Sequence, residues 1–214
     1  MLDQVYRAGL LGFAAALGGG FIYAAWSRWS SGAGPLVEVE PEDEEIMKQI
    51  LVVGLDGAGK TSFLHSLSTT TVKRSDGPTE MFNSVCIKIE EAEIEFLEIG
   101  GGESSRHCWS SHLPGSQALV YVVDSADHNR MPLAKQALHQ LVQDNATLPV
   151  VIVANKQDIK GACTILEIHE QLSLDKLGDE RKLFLIGTHV AENGSQVPTS
   201  VQDAKELIGQ LVIC

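Results

Sequence analysis

From residue 48 to the C-terminus, short apolar runs alternate with segments of helical periodicity. The runs 119–123 and 150–153 are continuously apolar, which is typical of strands buried on both faces of a parallel sheet. Residues 85–89 and 94–99 predict two strands that pair as a hairpin. The alternation as a whole predicts a three-layer α/β domain with one antiparallel edge.

Two helices are predicted from apolar positions at helical spacing, within 134–142 and within 204–211. A Ser or Thr three residues before an acidic residue forms the capping box that often begins a helix. The two pairs with this spacing are Thr164 with Glu167 and Ser200 with Asp203. We therefore expect helices to begin at both positions.

A long uncharged segment lies near the N-terminus. Residues 8–27 contain no charged side chain and are flanked by Arg7 and Arg28. A helix of this length extends about 30 Å, the thickness of the hydrocarbon core of a bilayer. The segment predicts a membrane anchor helix within residues 1–29, with a cleaved signal peptide or a buried helix as the alternatives.

The segment between the anchor and the domain is predicted to be an acidic linker. It begins with Ser, Gly and Pro, and six of the eight residues from Glu38 to Glu45 are acidic. Such a stretch is typical of a solvated, extended spacer. The predicted organisation is an anchor at 1–29, a linker at 30–47 and one domain at 48–214.

Charge and cysteine usage narrow the possible functions. The formal net charge of −12 at pH 7 argues against nucleic-acid binding. The four cysteines form no C-x-x-C pair, which fits free thiols in a reducing compartment. His107, Cys108 and His112 lack the spacing of a zinc site. The cysteine usage favours a domain that lies in a reducing compartment such as the cytoplasm.

The segment 54–61 matches the phosphate-loop pattern G-x-x-x-x-G-K-[ST] without a mismatch. The apolar run 50–53 precedes it and a helix-compatible segment, 61–68, follows, as this motif requires. Glycines let backbone N–H groups converge on phosphates at the N-terminus of a helix. Lys60 is expected to reach the β- and γ-phosphates, and the Thr61 hydroxyl to bind Mg²⁺. The nucleotide-binding residues predicted here are Gly54, Leu55, Asp56, Gly57, Ala58, Gly59, Lys60, Thr61 and Ser62.

A second motif, N-K-Q-D at 155–158, directly follows an apolar run. The Asp158 carboxylate can accept two hydrogen bonds from guanine, through N1–H and the N2 amino group, whereas adenine offers no such pair. Asn155 is expected to brace the phosphate loop, and Lys156 and Thr188 are the other residues predicted at the base. The motif predicts GTP or GDP as the ligand and disfavours a P-loop kinase or ATPase.

These motifs resemble the Arf-like branch of the small GTPases, and its divergent members in particular. The resemblance extends from about residue 48 to the C-terminus. Beyond the two motifs above, the matching residues are Pro78, Thr79, Phe82 and Asn83 in the first switch, and Gly100, Gly101, Arg106 and Trp109 in the second.

The resemblance implies a P-loop GTPase fold whose sheet has six mostly parallel strands. It also implies a switch that depends on GTP and Mg²⁺, in which Thr61 and Thr79 bind Mg²⁺ and the Gly101 N–H bonds the γ-phosphate. Loss of that phosphate would release both switches. Family members recruit effectors to membranes when loaded with GTP. The expected partners are therefore effectors and an exchange factor, which the sequence does not identify, and a membrane bound through the N-terminal helix.

Four residues depart from the family pattern. Gly102 stands where a glutamine orients the attacking water, and Glu98 replaces an aspartate that supports Mg²⁺. Leu97 replaces a common aromatic residue, so the effectors of better-known relatives are not assumed. Leu2 excludes the family's N-myristoylation, which needs a glycine at that position.

The change at Gly102 determines what we expect of hydrolysis. Glycine cannot orient water, and the run 100–102 is all glycine, which predicts a loosely held loop. The arginine nearest to the first switch, Arg74, is not placed to compensate. We therefore expect very slow GTP hydrolysis and assign no catalytic residue. The alternative is a pseudo-GTPase that holds GTP as a fixed binding module.

Overall fold

The computed structural model describes residues 48–68, 82–90, 92–178, 180–190 and 196–213. The strands in these residues are β1 (Lys48–Val53), β2 (Phe82–Ile89), β3 (Ala92–Ile99), β4 (Ala118–Asp124), β5 (Val150–Asn155) and β6 (Leu183–Gly187). They form one sheet in the order β2-β3-β1-β4-β5-β6. β2 is antiparallel to β3, and the other neighbouring pairs are parallel. The predicted six-stranded sheet with one antiparallel edge strand is confirmed.

The helices of the described residues connect these strands. They are α1 (Lys60–Ser68), α2 (Glu103–Arg106), α3 (Trp109–His112), α4 (Met131–Val142), α5 (Ile165–Leu172) and α6 (Thr199–Ile213). Short 3-10 turns occupy Leu113–Gly115, His128–Arg130 and Leu174–Leu177. The two helices predicted from periodicity are α4 and α6, and both are confirmed.

Alternate residues of the central strands face opposite sides of the sheet, as strand geometry requires. Leu51 of β1 packs in the apolar layer that contains Leu138 of α4 and Ile168 of α5. Ile50, the preceding residue, packs in the other layer, with Phe63 of α1. Helices therefore cover both faces, and the three-layer arrangement follows from strands that are apolar on both sides.

The two predicted capping boxes have different outcomes. Thr164 is the N-cap of α5, where its N–H donates to Glu167 Oε2 (2.8 Å) and its hydroxyl accepts from the Glu167 N–H (3.3 Å). The prediction at Ser200 is wrong, because α6 already begins at Thr199. The Ser200 hydroxyl is instead buried, without a hydrogen-bond partner in the described part of the chain.

The predicted membrane anchor (1–29) and acidic linker (30–47) lie outside the described residues. Among the residues that are described, no helix has the length and apolar character needed to cross a membrane.

Candidate functional site

Glycines with positive φ shape the phosphate loop between β1 and α1. φ is +74° at Gly57 and +91° at Gly59, a region that strains residues with a side chain. A Cβ at Gly59 would also lie 2.4 Å from Nδ2 of Asn155. The loop can therefore turn tightly beneath the position of a phosphate only because these residues lack side chains.

Lys60, the lysine of the motif, is folded back over the loop. Its Nζ donates to the carbonyl oxygens of Gly54 (3.0 Å) and Leu55 (3.2 Å), and the residue is buried. Burial lowers the pKa of Lys60, while the negative charges of Glu98 and Asp56 oppose that shift. A buried ammonium held in this way fits a site for an anionic ligand.

A hydroxyl, a carboxylate and a side-chain amide meet where α1 begins; they belong to Thr61, Glu98 and Asn83. The Thr61 hydroxyl donates to Glu98 Oε1 at 2.6 Å, and Asn83 Nδ2 donates to Glu98 Oε2 at 3.1 Å. Glu98 is entirely buried. A hydroxyl beside a carboxylate is the kind of ligand that Mg²⁺ prefers. These residues therefore fit the predicted metal, although the second predicted ligand, Thr79, lies outside the described residues.

The second switch begins against the phosphate loop. A Cβ at Gly101 would lie 2.2 Å from the backbone nitrogen of Asp56, so only glycine allows this approach. The preceding carbonyl, of Gly100, accepts a hydrogen bond from the Trp109 indole N–H at 3.0 Å. Trp109 is buried and packs edge-on against Tyr121, with ring centroids 6.2 Å apart. The switch is thereby tied to the core.

Gly102 is held more firmly than the run of glycines predicts. It is the N-cap of α2, and its carbonyl accepts from the N–H groups of Ser105 (3.0 Å) and Arg106 (3.1 Å). Its φ of −63° is accessible to any residue. A Cβ there would meet Ser104 Oγ at 4.0 Å and nothing nearer. In the structure the predicted loose loop is a helix start with room for a side chain.

The two switch segments also contact each other. The ring of Phe82, at the start of β2, packs on the ring of His112, at the end of α3, with centroids 5.3 Å apart. Phe82 is nevertheless 47% exposed. The contact joins the β2–β3 hairpin to the second switch at the surface.

Asn155, at the end of β5, links the phosphate loop to the base-reading loops. Its Nδ2 donates to the Ala58 carbonyl at 2.9 Å, which is the predicted brace. Its Oδ1 accepts from the Thr188 hydroxyl at 3.2 Å. The Thr188 carbonyl in turn accepts from the Gln157 N–H at 3.0 Å. Thr188, a predicted base residue, is thus fully buried and supports the loops from behind.

Lys156 and Asp158 lie on the turn that follows β5. Lys156 has a φ of +65°, and its Nζ pairs with Asp124 Oδ2 at 2.5 Å. The Gln157 amide between them donates to the Ser125 hydroxyl at 2.7 Å. Asp158 itself is exposed. A turn fixed on both sides thus presents the Asp158 carboxylate to solvent.

Sequence reasoning missed Arg130. Its guanidinium binds Asp127 through Nε (2.5 Å) and Asp56 of the phosphate loop through Nη1 (3.1 Å). A local signal existed for the first pair, since Asp127 caps the short turn that ends at Arg130. Contact with Asp56, 74 residues away in sequence, has no local signal. Arg74, the arginine nearest to the first switch in sequence, lies outside the described residues.

The structure brings most predicted site residues to one edge of the sheet, at the carboxyl ends of the parallel strands, where ligands of α/β proteins bind. Thr79 is the predicted residue that lies outside the described part. The others are the phosphate loop from Gly54 to Ser62, Gly101 after β3, Asn155, Lys156 and Asp158 after β5, and Thr188 after β6.

Comparison with known proteins gives consistent matches. The model of the ADP-ribosylation factor family matches residues 39–203. ADP-ribosylation factor-like protein 9 of Homo sapiens is 54% identical over 168 residues, which cover 78% of this chain and 90% of that protein. ADP-ribosylation factor-like protein 10 of Mus musculus is 38% identical over 178 residues, covering 79% and 69%.

A solved structure shares the fold. It is the Arl6 BBS3 small GTPase from Trypanosoma brucei with the bound nucleotide analogue GppNp. The TM-score is 0.63 at 22% identity, and the match covers 75% of this chain and 98% of that one.

Proposed function

This chain belongs to the ADP-ribosylation factor family of small GTPases, and we propose that it is a Mg²⁺-dependent guanine-nucleotide switch attached to a membrane. The predicted resemblance to divergent members of the Arf-like branch is confirmed by the matches to proteins 9 and 10. The observation that carries the proposal is Asn155. One amide joins the carbonyl of Ala58 in the phosphate loop to Thr188 behind the base loops, so phosphate and base recognition form one connected site.

The roles of the residues in nucleotide binding follow from their chemistry. Lys60 supplies a buried positive charge to the phosphates, and the glycine-shaped loop supplies backbone N–H groups. Asp158 selects guanine through its two acceptor oxygens. Thr61 and Thr79 would hold Mg²⁺, with Glu98 supporting Thr61. When bound, Mg²⁺ neutralises charge on the β- and γ-phosphates.

Switching would use the contacts that tie both switches to the site. Gly101 lies against the phosphate loop, where its N–H can bind a γ-phosphate. Asn83 connects β2 to Glu98, next to Thr61. Loss of the γ-phosphate would therefore change the conformation of the second switch and of the β2–β3 hairpin together. The exposed Phe82 at their junction is where an effector could detect that change.

Membrane attachment is supported by the uncharged segment 8–27. Topology is inferred from the ligand: the GTPase domain faces the cytoplasm, where GTP is available. The acidic residues between 38 and 45 would be repelled by an anionic bilayer and would hold the domain away from its surface. GTP loading would then recruit effectors to that membrane.

A second candidate function is a fixed, GTP-holding binding module. Gly102 favours it, because no glutamine orients water there. The switch remains the leading proposal because the contacts of both switch segments converge on the phosphate loop.

The test uses the full-length chain purified in detergent. We expect co-purified GDP or GTP, and competition of bound guanine nucleotide by GTP but not by an equal excess of ATP. Asp158→Asn should relax this preference, because an amide offers guanine one acceptor oxygen in place of two. Equal affinity of the unaltered chain for GTP and ATP would contradict the proposal.

A second measurement, capture of binding proteins by the nucleotide-loaded chain, distinguishes the two candidate functions. A switch should retain different proteins when loaded with GDP and with GppNp. A fixed module should retain the same proteins in both states.

A further inference from the structure

The phosphate loop carries its own carboxylate, Asp56, between the two glycines Gly54 and Gly57 that begin its turn. A carboxylate in a loop that binds phosphates is electrostatically unfavourable, since like charges repel over several ångströms. Asp56 lies four residues before Lys60, the lysine that we propose binds the phosphates.

Arg130 occupies the side of the loop where this carboxylate points. Its Nη1 lies 3.1 Å from Asp56 Oδ1, and its Nη2 would lie 3.7 Å from a Cβ at Gly57. The guanidinium thus flanks the loop at two consecutive residues.

The same guanidinium is fixed from behind by Asp127. Nε donates to Asp127 Oδ2 at 2.5 Å, and the Arg130 N–H donates to Asp127 Oδ1 at 3.2 Å. Asp127 and Arg130 bracket the short turn that leads into α4. An arginine anchored to a helix start can hold a partner in one orientation at little further entropic cost.

We propose that Arg130 is a positioning residue of the nucleotide site, which holds the Asp56 carboxylate away from the phosphates and offsets its charge, so that the loop accepts a triphosphate. The inference rests on the proposed function. Without Arg130 the Asp56 side chain is free to rotate towards the ligand. The repulsion would then be greater for the γ-phosphate state than for the diphosphate, because the triphosphate carries more negative charge.

A purely structural role for the pair predicts a different outcome. If Arg130 only stiffened the loop, its loss would weaken both nucleotides equally, and removing the Asp56 charge would not help. The electrostatic role predicts a loss that is selective for the triphosphate, smaller at high salt, and reversed by neutralising Asp56.

The experiment measures the dissociation constants of GDP and GppNp on the full-length chain in detergent. The variants are Arg130→Ala, Arg130→Lys, Asp56→Asn and the double variant Arg130→Ala with Asp56→Asn. Lys176→Ala is the control, since it removes one exposed positive charge away from the loop. Thermal unfolding of each variant reports whether it is folded.

For Arg130→Ala we expect the affinity for GppNp to fall about tenfold, because both side chains of the pair are partly exposed and their charges are screened. The affinity for GDP should fall several times less. The double variant should recover most of the GppNp affinity. The GppNp affinity of Arg130→Lys should lie between those of the unaltered chain and Arg130→Ala, because lysine keeps the positive charge but lacks the planar, forked set of guanidinium donors.

Equal losses for GDP and GppNp, or a double variant no better than Arg130→Ala, would overturn the inference. If Arg130→Ala does not fold, the same comparison is made with Arg130→Lys, alone and combined with Asp56→Asn. Failure of the unaltered chain to bind either nucleotide would instead refute the proposed function, so the two failures are distinguishable.

Discussion

The hydroxyl of Thr61, at the start of α1, donates a hydrogen bond of 2.6 Å to the carboxylate of Glu98, near the end of β3. Glu98 is entirely buried, and its other oxygen accepts from the Asn83 amide on β2. A buried carboxylate is stable only with such partners, because removal from water penalises its charge. Glu98, which stands where the family has an aspartate, therefore joins the Thr61 hydroxyl, our proposed Mg²⁺ ligand, to the β2–β3 hairpin.

Glu98→Gln keeps the size of this side chain and removes its charge. We expect the variant to need about tenfold more free Mg²⁺ to slow nucleotide release, which corresponds to a loss of about 1.4 kcal/mol of charge interaction. The measurement is the release rate of bound GDP over a titration of free Mg²⁺.

The matched control for Glu98 is Glu95→Gln, on the same strand. Glu95 accepts from Ser84 and Gln49, outside the nucleotide site. The Mg²⁺ dependence of this control should equal that of the unaltered chain. An unchanged Mg²⁺ dependence in Glu98→Gln would show that the Glu98 carboxylate does not support the metal.

Asn155→Asp tests the link between the phosphate loop and the base loops. The substitution is isosteric, but a carboxylate cannot donate to the Ala58 carbonyl and instead faces it as a second acceptor. Loss of a buried hydrogen bond with an unsatisfied partner costs about 1–3 kcal/mol. We expect a decrease of that size in the free energy of unfolding, measured with urea, together with weaker binding of GDP.

Asn145→Asp is the corresponding control. The Asn145 side chain accepts from the Leu148 N–H at 3.0 Å, a role that a carboxylate fills equally well. Its free energy of unfolding should stay near that of the unaltered chain. If both variants lose equal stability, or if Asn155→Asp loses none, Asn155 does not brace the loop.

The strands could be predicted from the sequence because their signals are local. Continuous apolar runs predict β4 and β5, and the N-K-Q-D motif predicts that Asn155 braces the phosphate loop. The capping box at Thr164 was also found from its spacing. The same spacing failed at Ser200, whose hydroxyl is buried in the first turn of α6, because burial of that atom is a tertiary effect that no four-residue pattern contains.

The contacts of Arg130 and Glu98 could not be predicted in the same way. Arg130 meets Asp56 only because the loops after β1 and β4, neighbouring strands of the sheet, are brought together at one edge. Glu98 was recognised as a change from aspartate, but whether its longer side chain would still reach Thr61 depended on how β3 and α1 pack. The order at Gly102 likewise depends on α2, a four-residue helix too short for a periodic signal.

Glu167→Gln tests the capping box through pH. Hydrogen bonds from the Thr164 N–H and then its hydroxyl hold the pKa of the Glu167 carboxyl below its ordinary value. A carboxyl with a lowered pKa in the folded state stabilises the protein above its unfolded pKa, and this contribution is lost as the pH falls through the folded value.

The unaltered chain should therefore be more stable than Glu167→Gln at neutral pH, and the difference should shrink towards about pH 3, below the ordinary carboxyl pKa. Urea unfolding across this range measures it. Glu170→Gln, on the same helix and outside the capping box, is the control for the loss of one carboxylate from α5. If the difference in free energy of unfolding between the unaltered chain and Glu167→Gln does not change with pH, the ionised Glu167 carboxylate does not stabilise the cap.

Gly102→Gln tests the expectation that GTP hydrolysis is slow because residue 102 has no side chain. The position accepts one, since its φ is −63° and a Cβ would meet only Ser104 Oγ at 4.0 Å. The Gly102 carbonyl accepts the first hydrogen bonds of α2, so its backbone is fixed. The amide of a glutamine side chain would extend from that backbone and could orient water at the γ-phosphate. We expect single-turnover hydrolysis of GTP to rise by about a hundredfold, the lower end of what a positioned catalytic side chain typically contributes. Gly102→Ala, which adds a Cβ without an amide, should remain as slow as the unaltered chain. A decrease in rate with Gln, or an equal increase with Ala, would mean that something other than the absent amide limits hydrolysis in this site.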